Sequence, residues 1–260
     1  MADDFRVVIP ARYASTRLPG KPLADLAGRP MVVRVAERAA ASGAARVVVA
    51  SDDDRVLDAV LAAGFEGVRT RADHPSGSDR VMEVAEALGW DDHAVVVNVQ
   101  GDEPLIPPQV IAQAAGLLTA DADIGVATLC EPMSDAAAVF DPNVVKVVTG
   151  DDGFALYFSR APIPYARDAF AADAARGGAL PGAGGWYRHI GIYGFRVAAL
   201  RRFVALPVGR LEQLEALEQL RMLEAGMGIR VATAVAPVPG GVDTEADLAR
   251  VRARFGGGEP

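Results

Sequence analysis

Apolar positions recur along this chain on two different periods. Four short runs rich in β-branched residues, Arg6–Pro10, Arg46–Ala50, Ala94–Val99 and Ile124–Cys130, are almost unbroken by polar residues. A run of that length with no polar face suits a strand covered on both sides. Between them lie alanine-rich segments with helical spacing. These are Met31–Ala41, closed by Gly43; Asp54–Ala63, closed by Gly64; Val81–Leu88; and Pro108–Leu118. The prolines of the last segment fall in its first turn, where a missing N–H does no harm. The β-α-β-α rhythm predicts a mainly parallel sheet with helices on both faces.

The rhythm changes after residue 140. Val144–Val148 and Ala155–Ser159 flank "TGDDGF", a hairpin signal. Gly177–Gly185 is glycine-rich and reads as a loop. Ile190–Phe195 and Ile229–Val235 read as strands, and Thr244–Phe255 as a closing helix. Leu211–Ala225 reads as one helix, with leucines at 211, 214, 217, 220 and 223. No repeat and no linker interrupts the pattern. The expectation is one α/β domain over residues 1–260, with an antiparallel insertion around 144–195.

Composition narrows the functional classes. Hydrophobic residues make up 51% of the 260, enough for a large core. No apolar run reaches the roughly 20 residues that span a bilayer, and the acidic N-terminus is unlike a signal peptide. One cysteine, Cys130, excludes an internal disulfide framework. A cytoplasmic enzyme is the expectation. A net charge of −8 argues against a nucleic-acid partner, which would need a basic face.

Against that acidic background, the segment after the first strand is basic. "VVIPARYASTRLPGKPL" carries Arg12, Arg17 and Lys21. In an open α/β sheet ligands bind outside the carboxyl ends of the strands, where this loop falls. The G-x-G-x-x-G and G-x-x-x-x-G-K-[ST] patterns are both absent, so side-chain cations rather than a glycine cradle would hold an anion. Lys21 and Lys146 are the only lysines among 26 basic residues. A compact ammonium in this loop fits a point charge on phosphate.

Two further loops carry acids to the same edge. "VVVNVQGDEPLI" runs from a buried strand into Asp102 and Glu103. A carboxylate facing phosphate and cations calls for a hard divalent ion, Mg²⁺ in the usual case. "PGGVDTEADL" sets Asp243 just before a helix, where Asp243 or Thr244 caps the helix or Asp243 serves as a second metal carboxylate. His74, His93 and His189 lie far apart and suggest no zinc site.

Taken in order, "IPARYASTRLPGKPL", "TRADHPSGSDR", "VNVQGDEP", "DPNVVKVV", "ALYFSRAPIPY", "RHIGIYGF", "LEALEQLR" and "GVDTEADL" resemble the signatures of the 3-deoxy-manno-octulosonate cytidylyltransferases. The match runs from about Phe5 to Arg254. The resemblance implies a three-layer, Rossmann-like nucleotidyltransferase fold with a mixed, mainly parallel sheet and a small antiparallel subregion. It implies that CTP and the sugar acid 3-deoxy-D-manno-octulosonate (Kdo) react to give CMP-Kdo and pyrophosphate, for lipopolysaccharide synthesis.

Residue by residue, the resemblance implies that Arg12, Ser15, Arg17 and Lys21 hold the triphosphate. Arg71, Ser76, Gly77, Ser78 and Arg80 match the positions around the cytosine. Ser78-Asp79 stands where related enzymes often have Thr-Glu. Asp102 and Asp243 match the Mg²⁺ carboxylates, and with Lys21 and Arg17 make up the catalytic set. Gln100, Arg160, His189, Tyr193 and Glu218 match the sugar side, with Arg160 suited to the Kdo carboxylate. Tyr193 also reads as a core residue of its strand, and Glu218 as a solvated helix residue. A homodimer is implied too, with the antiparallel region and "RHIGIYGF" as the contact. The stretch Asp173–Gly185 departs most from the pattern.

Overall fold

The structure is a computed structural model that describes residues 4–14, 18–170, 180–181 and 185–256. Ser15, Arg17 and most of Asp173–Gly185 lie outside the described residues. The chain folds as β1 (Phe5–Pro10), α1 (Met31–Ala40), β2 (Arg46–Ser51), α2 (Asp54–Ala62), β3 (Glu66–Arg69), α3 (Gly77–Ala87), β4 (Val95–Asn98) and α4 (Pro108–Thr119). It continues as β5 (Val126–Pro132), α5 (Ala136–Phe140), β6 (Lys146–Thr149), β7 (Ala155–Ser159), β8 (Tyr187–Arg196), α6 (Val197–Val204), α7 (Arg210–Glu215), α8 (Gln219–Glu224), β9 (Arg230–Thr233) and α9 (Glu245–Gly256).

The strands join in the order β3-β2-β1-β4-β8-β5-β9, with β6 and β7 off this path. β3, β2, β1 and β4 are mutually parallel, and so are β5 and β9. β8 alone runs against its neighbours β4 and β5 within this path. The antiparallel residues expected as an insertion around 144–195 are therefore divided. β8 pairs with β5 along its length and at its far end with β4, where Asn98 pairs with Tyr193, while its first residues also pair with β6.

Alternation along each strand builds the layers. Val7 and Ile9 of β1, with Val95 and Val97 of β4, face a core shared with α1 and α4. Val8 and Val96 face the opposite core, shared with α3 and α6. Gly194 sits where α4 presses on β8, since a Cβ there would lie 2.8 Å from the Ala114 carbonyl oxygen. The helix can approach only because that Cβ is missing.

Five elements depart from the expectation, among them the short α5, which no pattern marked. β3 is a short edge strand with no fully buried residue, too polar to show a strand pattern. α6 follows β8 directly, without a breaker residue to mark it. α3 begins at Gly77 rather than Val81, because Ser76 caps it and accepts from the Asp79 N–H. The single helix expected over Leu211–Ala225 is two, broken at Ala216, which adopts φ 50°, ψ 51°. A left-handed alanine costs roughly 1 kcal/mol or more, and the contacts that hold it there are described below.

The second lysine has a structural task. Lys146 is fully buried, and its ammonium donates to the carbonyls of Asp141, Val144 and Arg160 at 2.9, 2.6 and 2.6 Å. Three carbonyls match the three donors of an ammonium. Burial lowers its pKa.

Candidate active site

β1, β2 and β4 run parallel, so their carboxyl ends open onto one edge. A cavity of about 380 Å³ lies there, walled by Arg12, Lys21, Gly77, Arg80, Gln100 and Asp102 among others. A larger groove of about 750 Å³, between Leu105, Pro107, Pro237 and Phe255, holds none of the residues singled out from the sequence. The chemistry therefore selects the smaller one.

Glycine permits the closest approach in this cavity. A Cβ on Gly101 would lie 2.9 Å from the Pro10 carbonyl oxygen, so the turn after β4 can lie against the end of β1 only with glycine at that position. The same turn carries Asp102. The Asp102 carbonyl accepts from the Val242 N–H at 2.9 Å, which joins the two acid-bearing loops across 140 residues of sequence.

Lys21 stands at their junction. Its ammonium donates to Asp102 Oδ2 at 2.6 Å, to the Val242 carbonyl at 3.0 Å and to Asp243 Oδ1 at 3.3 Å. The Asp243 side chain therefore reaches Lys21, and the cap of the following helix is made by its neighbours. Thr244 and Asp247 cap α9 reciprocally: the Asp247 N–H reaches Thr244 Oγ1 at 3.2 Å, and Asp247 Oδ2 accepts from both Thr244 and the Asp243 N–H. The Asp243 carboxylate turns to Lys21 instead. Two carboxylates converging on one cation beside a polar cavity make a donor set that fits Mg²⁺, which takes one or two protein carboxylates and fills its shell with phosphate oxygens and water. Glu103, beside Asp102, is of another kind. Burial, and secondarily the Asp102 charge, push its carboxyl up to about 8.

α3 supplies another wall. Its first residue, Gly77, lines the cavity, so the positive end of the helix faces it. Arg80 is fully buried; it donates to Thr70 Oγ1, lies 3.4 Å from Asp52, and among the described residues has no hydrogen-bond partner at Nε. Burial lowers its pKa. A desolvated guanidinium with unspent donors at a cavity wall is set to receive an acceptor. Arg12 donates to the His74 carbonyl. Arg71 does not join this set: it is exposed, paired with Asp73 at 2.9 and 3.1 Å, and borders a separate groove.

The residues matched to the sugar divide. His189 and Tyr193 lie together on β8, ring centroids 5.4 Å apart. Thr128 has one hydroxyl proton, which the Ile192 carbonyl takes at 2.7 Å, so His189 Nε2 at 3.0 Å is the donor to Thr128. Burial, with Arg188 adding to it, drives the His189 pKa down to about 3. Tyr193 is buried, its hydroxyl has no hydrogen-bond partner among the described residues, and burial, followed by the charge of Glu218, raises its pKa. Glu218 is partly buried and accepts from Ser78 at 2.8 Å. The core reading of Tyr193 holds, since it packs in the cluster of Phe195 and Phe158, while the solvated reading of Glu218 does not account for its position.

Arg160 is otherwise engaged. Its guanidinium donates to the carbonyls of Glu215 at 2.7 Å, Pro142 at 2.8 Å and Ala216 at 3.4 Å. The Glu215 carboxylate in turn accepts from the Arg160 N–H and from Ser159. These bonds fix the left-handed Ala216 that separates α7 from α8. In this structure Arg160 braces the helix break rather than opening toward the cavity.

Sequence reasoning passed over Asn98 and Gln219. Both are buried, and among the described residues Asn98 Oδ1 and Gln219 Nε2 lack partners. Asn98 lies opposite Tyr193 and Gln219 follows Glu218. The one available signal was an asparagine ending an otherwise apolar strand.

Residues 6–229 match the family model for cytidylyltransferases. The 3-deoxy-manno-octulosonate cytidylyltransferase of Alcanivorax borkumensis is 56% identical over 253 residues, covering 97% of this chain and 99% of that protein. The chain belongs to the 3-deoxy-manno-octulosonate cytidylyltransferase family. Its Hahella chejuensis member is 54% identical, with 96% of each chain covered. A solved CMP:2-keto-3-deoxy-manno-octonic acid synthetase in complex with CTP superposes with a TM-score of 0.87 at 44% identity, over 98% of this chain and 99% of the other. A cytidylyltransferase from Leptospira borgpetersenii, 15% identical with a TM-score of 0.63 over 100% of this chain and 89% of the other, shares the fold.

Proposed function

We propose that this protein transfers the cytidylyl group of CTP to Kdo, giving CMP-Kdo and pyrophosphate. The observation that carries the reading is Lys21 held between Asp102 and Asp243 at the cavity where β1 and β4 end. Family membership directs that chemistry to CTP and Kdo.

The nucleotide lies in the cavity, with its phosphates toward Arg12 and Lys21 and the N-terminus of α3. The anomeric hydroxyl of Kdo attacks the α-phosphorus, the bond to the bridging oxygen of pyrophosphate breaks, and the hydroxyl proton passes to water. Two anions must approach, so neutralising charge is the main catalytic need. Asp102 and Asp243 would hold Mg²⁺, which when bound polarises the phosphate and lowers that repulsion. Lys21 stabilises negative charge on the leaving pyrophosphate. His189 is neutral at physiological pH and, with Tyr193 and Glu218, provides hydrogen bonds to a polyol.

Mixing the protein with CTP, Mg²⁺ and Kdo should release pyrophosphate. No release, or faster release with a different acidic sugar, would overturn the assignment. We also propose that the protein acts as a two-fold dimer in the cytoplasm and supplies lipopolysaccharide synthesis. A monomer by light scattering at micromolar concentration would refute the dimer.

A further inference from the structure

Ser78 and Glu218 lie 140 residues apart, and resemblance assigns them to different substrates: Ser78 to the nucleotide and Glu218 to the sugar acid. In the structure they meet. Ser78 Oγ donates to Glu218 Oε1 at 2.8 Å. Ser78 is 1% exposed, and a hydroxyl has a single proton to give. That donor is therefore committed to the carboxylate and is not offered to a base.

We propose that Ser78 is a positioning residue for the sugar-acid subsite, holding the Glu218 carboxylate against the first turn of the helix that walls the nucleotide cavity. The inference rests on the two-substrate reading above. Three observations bear it. Glu218 enters from a fixed direction, because Ala216 is left-handed and is braced by Arg160 and Glu215. Its side chain is then held at the far end by α3. Finally, Gly77, adjacent to Ser78, lines the cavity, and a Cβ there would lie 3.3 Å from Pro10. Nucleotide pressing on that turn bears on the same turn that holds Glu218.

The charge environment agrees. Burial raises the Glu218 pKa, while the hydroxyls of Ser78 and Ser76 oppose the rise. The other charged or titratable groups acting on it are Arg221 of α8, Asp79 of α3 and Tyr193 of β8. Losing the Ser78 donor leaves the carboxylate less stabilised.

The test begins with pyrophosphate release by the wild-type protein from CTP and Kdo; no release would count against the functional reading itself, before Ser78 is at issue. With that in hand, Ser78→Ala should raise the Michaelis constant for Kdo about tenfold or more, the loss expected for one hydrogen bond to a charged group. The constant for CTP should stay within about twofold. The acid limb of kcat/KM for Kdo should move to higher pH, a change that a merely structural role would not produce. Ser78→Thr, which keeps the hydroxyl, should restore both. Should Ser78→Ala fail to fold, Ser78→Cys keeps the volume with a weaker donor and supports the same comparison. A raised CTP constant with Kdo unaffected, equal weakening of both, no change in either, or an unmoved acid limb would each overturn the assignment.

Discussion

Replacing Asp102 by asparagine tests the centre of the proposed chemistry while leaving its surroundings in place. The side chains are nearly isosteric. The Asp102 carbonyl keeps its bond from the Val242 N–H, and Lys21 keeps Asp243 and the Val242 carbonyl. The lost ion pair, with side chains 15% and 30% exposed, is partly screened and contributes about 1 kcal/mol at most. In a chain of this size that lowers Tm by about 2–4 °C. The effect on catalysis is of another order. Removing one of two converging carboxylates weakens the hold on Mg²⁺ and so the neutralisation of phosphate charge. A loss of about 2.7 kcal/mol in the transition state is a 100-fold loss in turnover. Pyrophosphate release at saturating Mg²⁺, with thermal melting of the same sample, separates the two terms. Turnover within about threefold of wild type would refute the metal assignment. A melting loss of tens of degrees would mean that Asp102 belongs mainly to the fold.

Arg160→Lys should lower the urea midpoint, because a lysine cannot span the carbonyls of Pro142, Glu215 and Ala216; a raised Kdo constant with an unchanged midpoint would instead mean that the guanidinium leaves its carbonyls for the sugar. Gly101→Ala should cost about 1–3 kcal/mol of stability through overpacking and lower kcat/KM for CTP, since its Cβ would lie 2.9 Å from the Pro10 carbonyl oxygen; wild-type kinetics would show that the turn can shift without harm. His189, with a folded pKa near 3, takes up a proton more readily when unfolded, below about 6.5. The stability due to its neutral ring is therefore present above that value and is lost as pH falls toward 3. His189→Gln should flatten the slope of unfolding free energy against pH between about 6.5 and 4, and equal slopes would contradict the burial argument.

What the sequence by itself determined is local or repeated over a whole element. Unbroken apolar runs set β1, β2, β4 and β5, because a strand covered on both faces leaves no place for polar residues. Loop position after those strands, with the charges of Arg12, Lys21 and Asp102, located the cavity, because strand direction alone puts their carboxyl ends on one edge. Tertiary structure decided the rest. The leucines from 211 to 223 keep one spacing across a break, and Arg160, just after β7, with the neighbouring Glu215, makes a left-handed Ala216 tolerable. β3 exists because β2 offers an open edge, not because Glu66–Arg69 has a strand pattern of its own. Thr244 and Asp247 complete the cap of α9, and the Asp243 carboxylate meets Lys21, a contact that spacing along the chain does not show. Ser78 and Glu218 became partners only when α3 and the α7–α8 break packed on the same face. A pattern along the chain records which face of an element is buried. It does not record which distant polar group will meet another there, since that depends on how whole elements pack.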